Sequence, residues 1–473
     1  MAKDIYVDTY GRSHIASKVL SSGGQGIVYL TEEPNVLLKL EWNPMTQEIE
    51  KDTSNNDKFD NIRILPMLEN TNLTLPQTIL RDVVGYTMKM LDGMVSFEEA
   101  FSGDDYELPD NEWINSTKKA NEYLGDRLQK YIATGGMRKR LNAFLNVSCV
   151  LSKIHASGLV YCDISEKNMF VSAEPQLSHV WLIDCDNLSF MKESMKKRDG
   201  GLHSPGYGAP EIYEGKGKTM YSDAFSFAIA LFWELTMSHP FMGFAASEML
   251  DELDMLDAPE EDYTCTGAFA WVCDEEDDSN RSFSGMPIEM FINASLFEKF
   301  QKTFSENGRR NRQKRTTMPE WTYVLAKELD HIVRCKCCQM DYYGNEESVC
   351  PWCDAENSII KVSAYKVVGE RKKFKWDFIH EISEGVINVP LRVLEGFNSN
   401  HLDEKVFRIT FIEDGIEIGD LSNQYDFFLN DSTGKQIYGS TKNSSTNNIM
   451  LSAIDRRNGN DYLLEIEVSN DNK

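Results

Sequence analysis

The string Tyr161-Cys162-Asp163-Ile164-Ser165-Glu166-Lys167-Asn168, followed by Leu182-Ile183-Asp184-Cys185-Asp186, constrains this chain more than any other part of it. It holds an aspartate, an asparagine five residues later, and a second aspartate behind a short apolar run. In phosphoryl transfer such a set has a defined use. One carboxylate orients an attacking hydroxyl, while the amide and the second carboxylate hold the magnesium ions that carry a triphosphate. Alone the pattern is weak, because an acidic sequence produces it by chance. Its weight comes from the strings that stand in order on either side.

Upstream, Leu20-Ser21-Ser22-Gly23-Gly24-Gln25-Gly26-Ile27-Val28-Tyr29 reads as a glycine-rich hairpin. Gly23, Gly24 and Gly26 would let the backbone fold close over phosphates, with Val28 covering a base. A plain glycine-rich turn between two strands is the competing reading, and Ser21 stands where the pattern has its first glycine. Val36-Leu37-Leu38-Lys39-Leu40 then sets one lysine in an apolar strand. Such a lysine is commonly an edge or snorkelling residue; behind a glycine-rich hairpin it becomes a candidate to grip phosphates. Gly85-Tyr86-Thr87-Met88-Lys89-Met90-Leu91-Asp92-Gly93 reads as a strand and the turn after it. Leu141, Phe144, Leu145, Leu151 and Ile154 recur at helical spacing and predict a core helix leading into the Asp163 loop.

Downstream, Ser204-Pro205-Gly206-Tyr207-Gly208-Ala209-Pro210-Glu211 is the most specific string in the chain. Asp223 follows, heading an apolar run with Ile229, Leu231, Phe232 and Trp233. From Phe225 to Met237 that run falls far short of the ~20 residues a membrane span needs, and predicts a buried helix. Arg315 comes last, in Gln313-Lys314-Arg315-Thr316-Thr317-Met318-Pro319-Glu320-Trp321. In this order, from about Ile15 to Leu329, the strings resemble the Hanks-type Ser/Thr protein kinases. A narrower likeness, to bacterial kinases with a C-terminal zinc ribbon of the tellurite-resistance-associated group, is carried by Asp278-Ser279-Asn280-Arg281-Ser282, Gly285-Met286-Pro287 and Phe304 to Trp321.

The resemblance implies an α+β, bilobal protein-kinase fold that binds ATP and Mg2+ (or Mn2+) and phosphorylates protein substrates. It assigns Asp163 to the acceptor hydroxyl, Asn168 and Asp184 to metal, and Lys39 to the phosphates. Met88 becomes the gatekeeper, and the backbone of Lys89, Met90 and Leu91 the adenine hinge. Asp223 would tie down the catalytic-loop backbone and Arg315 would pair with Glu211. Ser204 matches the threonine that bonds the catalytic aspartate in Ser/Thr enzymes. Implied partners are a cognate metal-dependent protein phosphatase and a von Willebrand A-domain protein. Several positions depart from the family pattern. Tyr161-Cys162 replaces His-Arg, and Ser165 stands where a lysine is usual, so that Lys167 is the candidate for the transferred phosphate. Cys185-Asp186 replaces Phe-Gly. No acidic partner for Lys39 is evident among Glu48, Glu50, Asp57 and Asp60, and Pro66 interrupts any long helix there.

The chain has 473 residues and a net charge of −26, which opposes nucleic acid or an anionic membrane as main partner. Its densest acid, Asp251 to Asp278, falls in an insert spanning 243–300 and reads as a solvated loop or a docking site. With neither a signal peptide nor a membrane span in view, the expected location is cytoplasmic. Five of ten cysteines cluster in Cys335-Lys336-Cys337-Cys338 and Cys350-Pro351-Trp352-Cys353. Two C-x2-C knuckles fit a structural Zn2+ site of Cys335, Cys338, Cys350 and Cys353, with Cys337 spare or exchanging with Cys338; a redox pair or inert thiols are the alternatives. Past Asn357, alternation at Phe407, Ile409 and Phe411 and at Leu464, Ile466 and Val468 predicts a small β-sandwich or barrel, with Ser440 to Asn448 as a polar loop. The domain expectation is an N-lobe at 1–92, a C-lobe at 93–330, a zinc ribbon at 331–356 and an all-β domain at 357–473. An active protein kinase is the leading functional reading. A pseudokinase scaffold is the alternative, and an aminoglycoside-type small-molecule kinase is disfavoured by Ala209-Pro210-Glu211.

Overall fold

The computed structural model describes residues 4–23, 26–43, 46, 48–53, 56–66, 71–104, 106–174, 177–194, 204–255, 267–344, 348–382, 385–412, 415–430, 434–437, 439–443 and 448–469. The chain forms two compact units. One comprises Met1–Asp104, Asn146–Gly285 and Glu298–Pro319; the other comprises Asp105–Leu145, Met286–Phe297 and Glu320–Lys473.

The first unit begins with a six-stranded antiparallel sheet. Its strands lie in the order Ile5–Val7, Ser13–Gly23, Gly26–Thr31, Val36–Leu40, Gly85–Lys89, Thr78–Ile79. Because side chains alternate across a strand, Val36–Leu40 sends Leu38 and Leu40 to one face and Leu37 and Lys39 to the other. Leu38 and Leu40 join Ala16, Ile27, Leu80 and Val83 in one core cluster. Leu37 joins Phe59, Ile79, Val84, Tyr86 and Met88 in a second. Phe59 comes from the short helix Asp57–Arg63, which ends before Pro66. Gly26 is required by the sheet itself, since a Cβ there would stand 2.4 Å from the Leu40 carbonyl oxygen.

Deeper in this unit, the helix Met220–Thr236 is capped by Thr219, and Ser222 completes the capping box. Thirteen of its residues are buried, which explains its apolar composition without a membrane. Among the described residues no helix is long and apolar enough to cross one. The helix Gly136–Ala156, which contributes its residues up to Leu145 to the second unit and the rest to the first, carries the predicted stripe, and Leu141, Phe144, Leu145, Leu151 and Ile154 are all buried. Part of the acidic insert is well packed rather than a solvated loop. Trp271 is fully buried and donates to Gln301, and Asn280 bonds the backbone of Phe241, Ala246 and Ala270. Residues 256–266 of the insert lie outside the described residues.

In the second unit, the helices Glu112–Ala120 and Glu122–Ala133 are capped by the side chains of Asn111 and Asn121. A hairpin of Ile332–Arg334 and Asp341–Tyr343 carries the first cysteine knuckle, and a bridge between Val349 and Glu356 flanks the second. Beyond it stand two antiparallel sheets, of six and four strands. The larger is ordered Arg371–Glu381, Ile359–Val368, Asp461–Ser469, Ile449–Asp455, Tyr425–Leu429, Gln436–Ile437. The smaller is ordered Val386–Pro390, Lys405–Ile412, Gly415–Asp420, Ser440–Asn443. Phe407 of the smaller meets Phe427 of the larger with ring centres 5.6 Å apart, so the inward faces of both sheets share a core. The expected polar loop at Ser440 to Asn448 is corrected in its first part. Ser440–Asn443 is an edge strand paired with Gly415–Asp420, where backbone bonding overrides weak local propensity.

Candidate active site

The helix Gly136–Ala156 hands the chain to the two-residue strand Leu159–Val160, and Tyr161 opens the loop. Asp223, in the first turn of Met220–Thr236, accepts the amides of Tyr161 at 2.8 Å and Cys162 at 2.9 Å. His155 contacts the same carboxylate at 3.0 Å. Lys218, buried just ahead of that helix, donates to the Cys162 carbonyl at 2.8 Å. The Tyr161 hydroxyl bonds the Ile183 carbonyl, joining this loop to the one that carries Asp184. A histidine is usual at that position, and the phenol supplies a donor in its place.

Asp163 is buried, and Ser204 Oγ donates to its Oδ1 at 3.0 Å. Asn168 donates from Nδ2 to the Asp163 carbonyl at 2.9 Å, and its own carbonyl receives the Ile183 amide at 3.0 Å. These bonds bring Asp163, Asn168, Asp184 and Ser204 into one site. Asp184 adopts a left-handed φ of 57° at the head of the turn Cys185–Asn187, a conformation that a non-glycine residue holds at a cost.

Lys39 reaches this site from the sheet. Its Nζ bonds Asp184 and lies 2.7 Å from Asp186 Oδ2. Burial opposes the lysine's charge, but the carboxylates of Asp186 and Asp184 outweigh it and hold its pKa above the ordinary value. Burial pushes the Asp184 carboxyl up; Lys39 counters that and Asp186 adds to it. Of the acids considered from sequence, none whose side chain is described meets Lys39. Asp60 pairs with Arg63, Glu50 accepts the Asp52 amide and Glu48 is exposed, while the Asp57 side chain lies outside the described residues. Of the two carboxylates that do meet it, Asp186 was not foreseen as a site residue, although an acid where glycine is usual was visible in the string.

Other expected positions are distributed as follows. Gly23 ends its strand with open space around it, Val28 pairs with Lys39 across the sheet, and Gly24 lies outside the described residues. Met88 is buried in the second cluster. Lys89 lays its ammonium over the Trp181 ring at 4.7 Å. The Met90 amide donates to the Asn35 carbonyl at 2.9 Å. Lys167 is exposed and lies 3.5 Å from Glu98, so its ammonium has an acidic neighbour rather than an open aim into the site. Arg315 forks onto Glu211 at 2.7 and 2.8 Å and covers the Phe225 ring. Burial raises the Glu211 carboxyl, and Arg315 more than reverses that.

In the second unit, one sulfur from each of Cys335, Cys338, Cys350 and Cys353 lies within 4.8 Å of the other three. The Cys335–Cys353 and Cys338–Cys350 sulfurs are 3.6 and 3.7 Å apart. Zinc at ~2.3 Å from each of four tetrahedral sulfurs would separate them by about 3.8 Å. The donor set therefore fits zinc. Cys335 Sγ also accepts from the Cys337 amide at 3.3 Å and from Asn357 Nδ2 at 3.7 Å, bonds that favour a thiolate. Cys337 itself is exposed and outside the cluster.

Residues 120–320 match the family described as Protein kinase domain. The match begins after the glycine-rich hairpin and Lys39. A probable serine/threonine-protein kinase of Dictyostelium discoideum is 29% identical over 104 residues, covering 22% of this chain and 20% of its own. Probable serine/threonine-protein kinase 2 of Plasmodium falciparum is 32% identical over 127 residues, covering 26% of this chain and 24% of its own. Protein kinase 3 of Dictyostelium discoideum is 26% identical over 151 residues, covering 30% and 15%. The chain thus spans a quarter or less of the length of these curated relatives. The segment matched by the family model contains the Asp163 loop, the Asp184 turn and the Glu211–Arg315 pair, and in that segment the chain is similar to protein kinase domains.

Proposed function

We propose that the chain is an ATP- and divalent-metal-dependent protein kinase acting on Ser/Thr hydroxyls of protein substrates. The observation that carries this reading is the 3.0 Å bond from Ser204 Oγ to Asp163, which ties the loop closed by Ala209-Pro210-Glu211 to the carboxylate that would meet the acceptor. Asp163 orients the acceptor hydroxyl and takes its proton. The acceptor oxygen bonds to the γ-phosphorus as the bond to the β–γ bridging oxygen breaks, and ADP leaves with that electron pair. Lys39 holds the phosphates, and Asn168 and Asp184 are the residues that would bind metal. When bound, the metal neutralises charge developing on the phosphate oxygens. Positioning and electrostatics supply nearly all the catalysis of this reaction, so a buried, hydrogen-bonded Asp163 is the feature that matters most.

The four cysteines would hold one structural zinc, leaving no open position for chemistry there. The two-sheet domain beyond them would serve recognition. A cognate phosphatase and a von Willebrand A-domain partner remain part of this proposal on the strength of the narrower resemblance alone.

A second reading, an ATP-responsive scaffold without phosphotransfer, is favoured by one observation: the Lys39 ammonium is already held by two carboxylates. Purified full-length chain, incubated with ATP and magnesium or manganese, decides between them. The kinase reading expects phosphorylation of itself or a generic protein, cut by orders of magnitude in Asp163→Ala and Asp184→Ala. ATP binding with no transfer would establish the scaffold.

A further inference from the structure

Lys39 sits on the sheet face that looks toward the helix Asp57–Arg63, where a helix-borne acid would be expected to steady it. The described residues that the helix turns inward are instead Phe59 and Ile62, both buried, and the Phe59 ring packs at a tilt against Tyr86 with ring centres 4.7 Å apart. Asp60 of the same helix is exposed and spent on Arg63. The Lys39 carboxylate comes from the other direction, from the turn Cys185–Asn187.

Asp186 is engaged on both oxygens. Oδ2 meets Lys39 Nζ at 2.7 Å, and Oδ1 accepts the Tyr86 hydroxyl at 2.5 Å. Tyr86 is the direct cross-strand neighbour of Lys39. All three groups are nearly shut off from water: Lys39 is 6% exposed, Tyr86 1%, and the Asp186 side chain 10%. A carboxylate so enclosed costs several kcal/mol unless a cation and a donor compensate it, and here each is supplied once. Two residues earlier in the chain, Asp184 takes the remaining side of the same ammonium.

We infer that Asp186 is the positioning residue for Lys39, doing from the metal-site turn what a helix acid does elsewhere, with Tyr86 fixing the carboxylate's orientation. The inference rests on the kinase reading for the role of Lys39, but its geometry does not need phosphotransfer. Its consequence is regulatory. The phosphate lysine and the Asp184 turn are set by one three-residue segment, so the lysine is ordered whenever that turn is, with no described carboxylate of the helix Asp57–Arg63 holding it. A movement of that helix would reach the lysine only indirectly, through Phe59 on Tyr86 and through the turn that carries Asp186.

A double-mutant cycle tests this. Asp186→Asn keeps the shape and removes the charge; it should lower kcat/KM for ATP roughly tenfold or more with an unchanged melting temperature. In a Lys39→Met background the same change should cost less than about twofold, because a residue acting only through Lys39 has nothing left to lose. Tyr86→Phe, which preserves the ring contact with Phe59, should cost about threefold alone and nothing further beside Asp186→Asn. Asp57→Asn and Asp60→Asn should behave as wild type. The cycle is run in parallel on the dissociation constant of a fluorescent ATP analogue, so it reads out even if the wild type transfers no phosphate. In that event the kinase reading fails while the Asp186 inference stands or falls on binding. Asp186→Asn within twofold of wild type in both readouts, equal losses in the two backgrounds, or a tenfold loss in a helix-acid variant would each overturn the inference.

Discussion

Asp223 and Lys218 grip Cys162 from both ends of its backbone: the carboxylate accepts the Cys162 amide at 2.9 Å, and the ammonium donates to its carbonyl at 2.8 Å. Between these bonds Cys162 holds a φ of 78°, the left-handed region that favours glycine. Such a residue costs on the order of 1–3 kcal/mol and persists only where its surroundings over-determine it. What the clamp delivers is the direction of the next side chain, Asp163.

Loosening the clamp should therefore damage turnover more than nucleotide affinity. Asp223→Asn leaves one backbone amide facing an NH2 group, and should lower kcat about tenfold or more and destabilise the chain by about 2 kcal/mol. Lys218→Met should act the same way at smaller size. Cys162→Gly accepts the left-handed backbone without strain and should keep near-wild-type kcat. Steady-state kinetics with urea melts check all three, and equal kcat in the first two variants and wild type would dismiss the clamp.

The zinc prediction draws on a neighbouring set of aromatic contacts. Trp352, between the second pair of cysteines, donates to the Asp341 carbonyl at 3.2 Å and accepts at its own carbonyl from Trp113 at 3.1 Å. Its ring meets Trp113 and Phe291. Metal binding at such a ribbon is folding free energy, so its loss should reach these rings. Protein purified without chelator should contain one zinc per chain. Chelation, or Cys350→Ser, should shift tryptophan emission to the red and lower the melting temperature by several degrees. Metal analysis that finds no stoichiometric zinc would remove the assignment.

How much of this was legible beforehand depended on whether a residue's job is local. Ser204, Asp223, Glu211 and Arg315 were readable because motif spacing fixes them, and the structure brings Ser204 to Asp163, Asp223 to the amides ahead of Asp163, and Arg315 to Glu211, with Asn168 and Asp184 gathered beside them. The cysteine pairs were readable because two C-x2-C knuckles admit few alternatives. Asp186, Tyr86 and Lys218 were not. Their roles depend on which strand lies beside which and on a carbonyl turned by one unusual φ, and neither leaves a mark on the sequence. The glycine at position 26 shows a subtler miss. Its lack of a side chain was attributed to phosphates, yet the Leu40 carbonyl oxygen, which a Cβ there would approach to 2.4 Å, already demands it. The strand Ser440–Asn443 was hidden by its polar composition, because an edge strand gains its bonds from Gly415–Asp420 rather than from its own propensity.

A third prediction concerns pH and the second unit. Arg138 forks onto Glu381 and also donates to the Ile332 carbonyl, while its amide bonds Asp341. Burial would raise the Glu381 carboxyl, but Arg138 pulls it down to about 2 from its usual 4.5. A carboxyl depressed in the folded state contributes stability above its unfolded pKa, and loses it as pH falls through the folded one. The window is thus pH 4.5 down to about 2, and the contribution at neutral pH is about 3 kcal/mol. Glu381→Gln should flatten the acid limb of a stability–pH curve within that window while lowering stability at pH 7. An unchanged acid limb would assign the acid sensitivity elsewhere.

The last prediction concerns control of the site by its own loop. Enzymes switched by loop phosphorylation need a cation beside the catalytic aspartate to receive the new phosphate. Cys162 occupies that position, is buried, and turns its sulfur toward the Val160 carbonyl at 3.8 Å, so it offers neither charge nor access. Ser189 stands in a two-residue strand paired with Leu159–Val160. Lys196, Lys197 and Arg198, the loop cations that could replace the missing arginine, lie outside the described residues. Phosphatase-treated enzyme with Ser189 and Ser194 changed to Ala should therefore keep an initial rate within about twofold of untreated wild type. Ser204 is left unaltered in this comparison because its free hydroxyl is bonded to Asp163. A tenfold loss, restored when treated wild type is rephosphorylated, would show that a loop cation has taken over the role, and that phosphorylation rather than the Asp186 turn sets the active state.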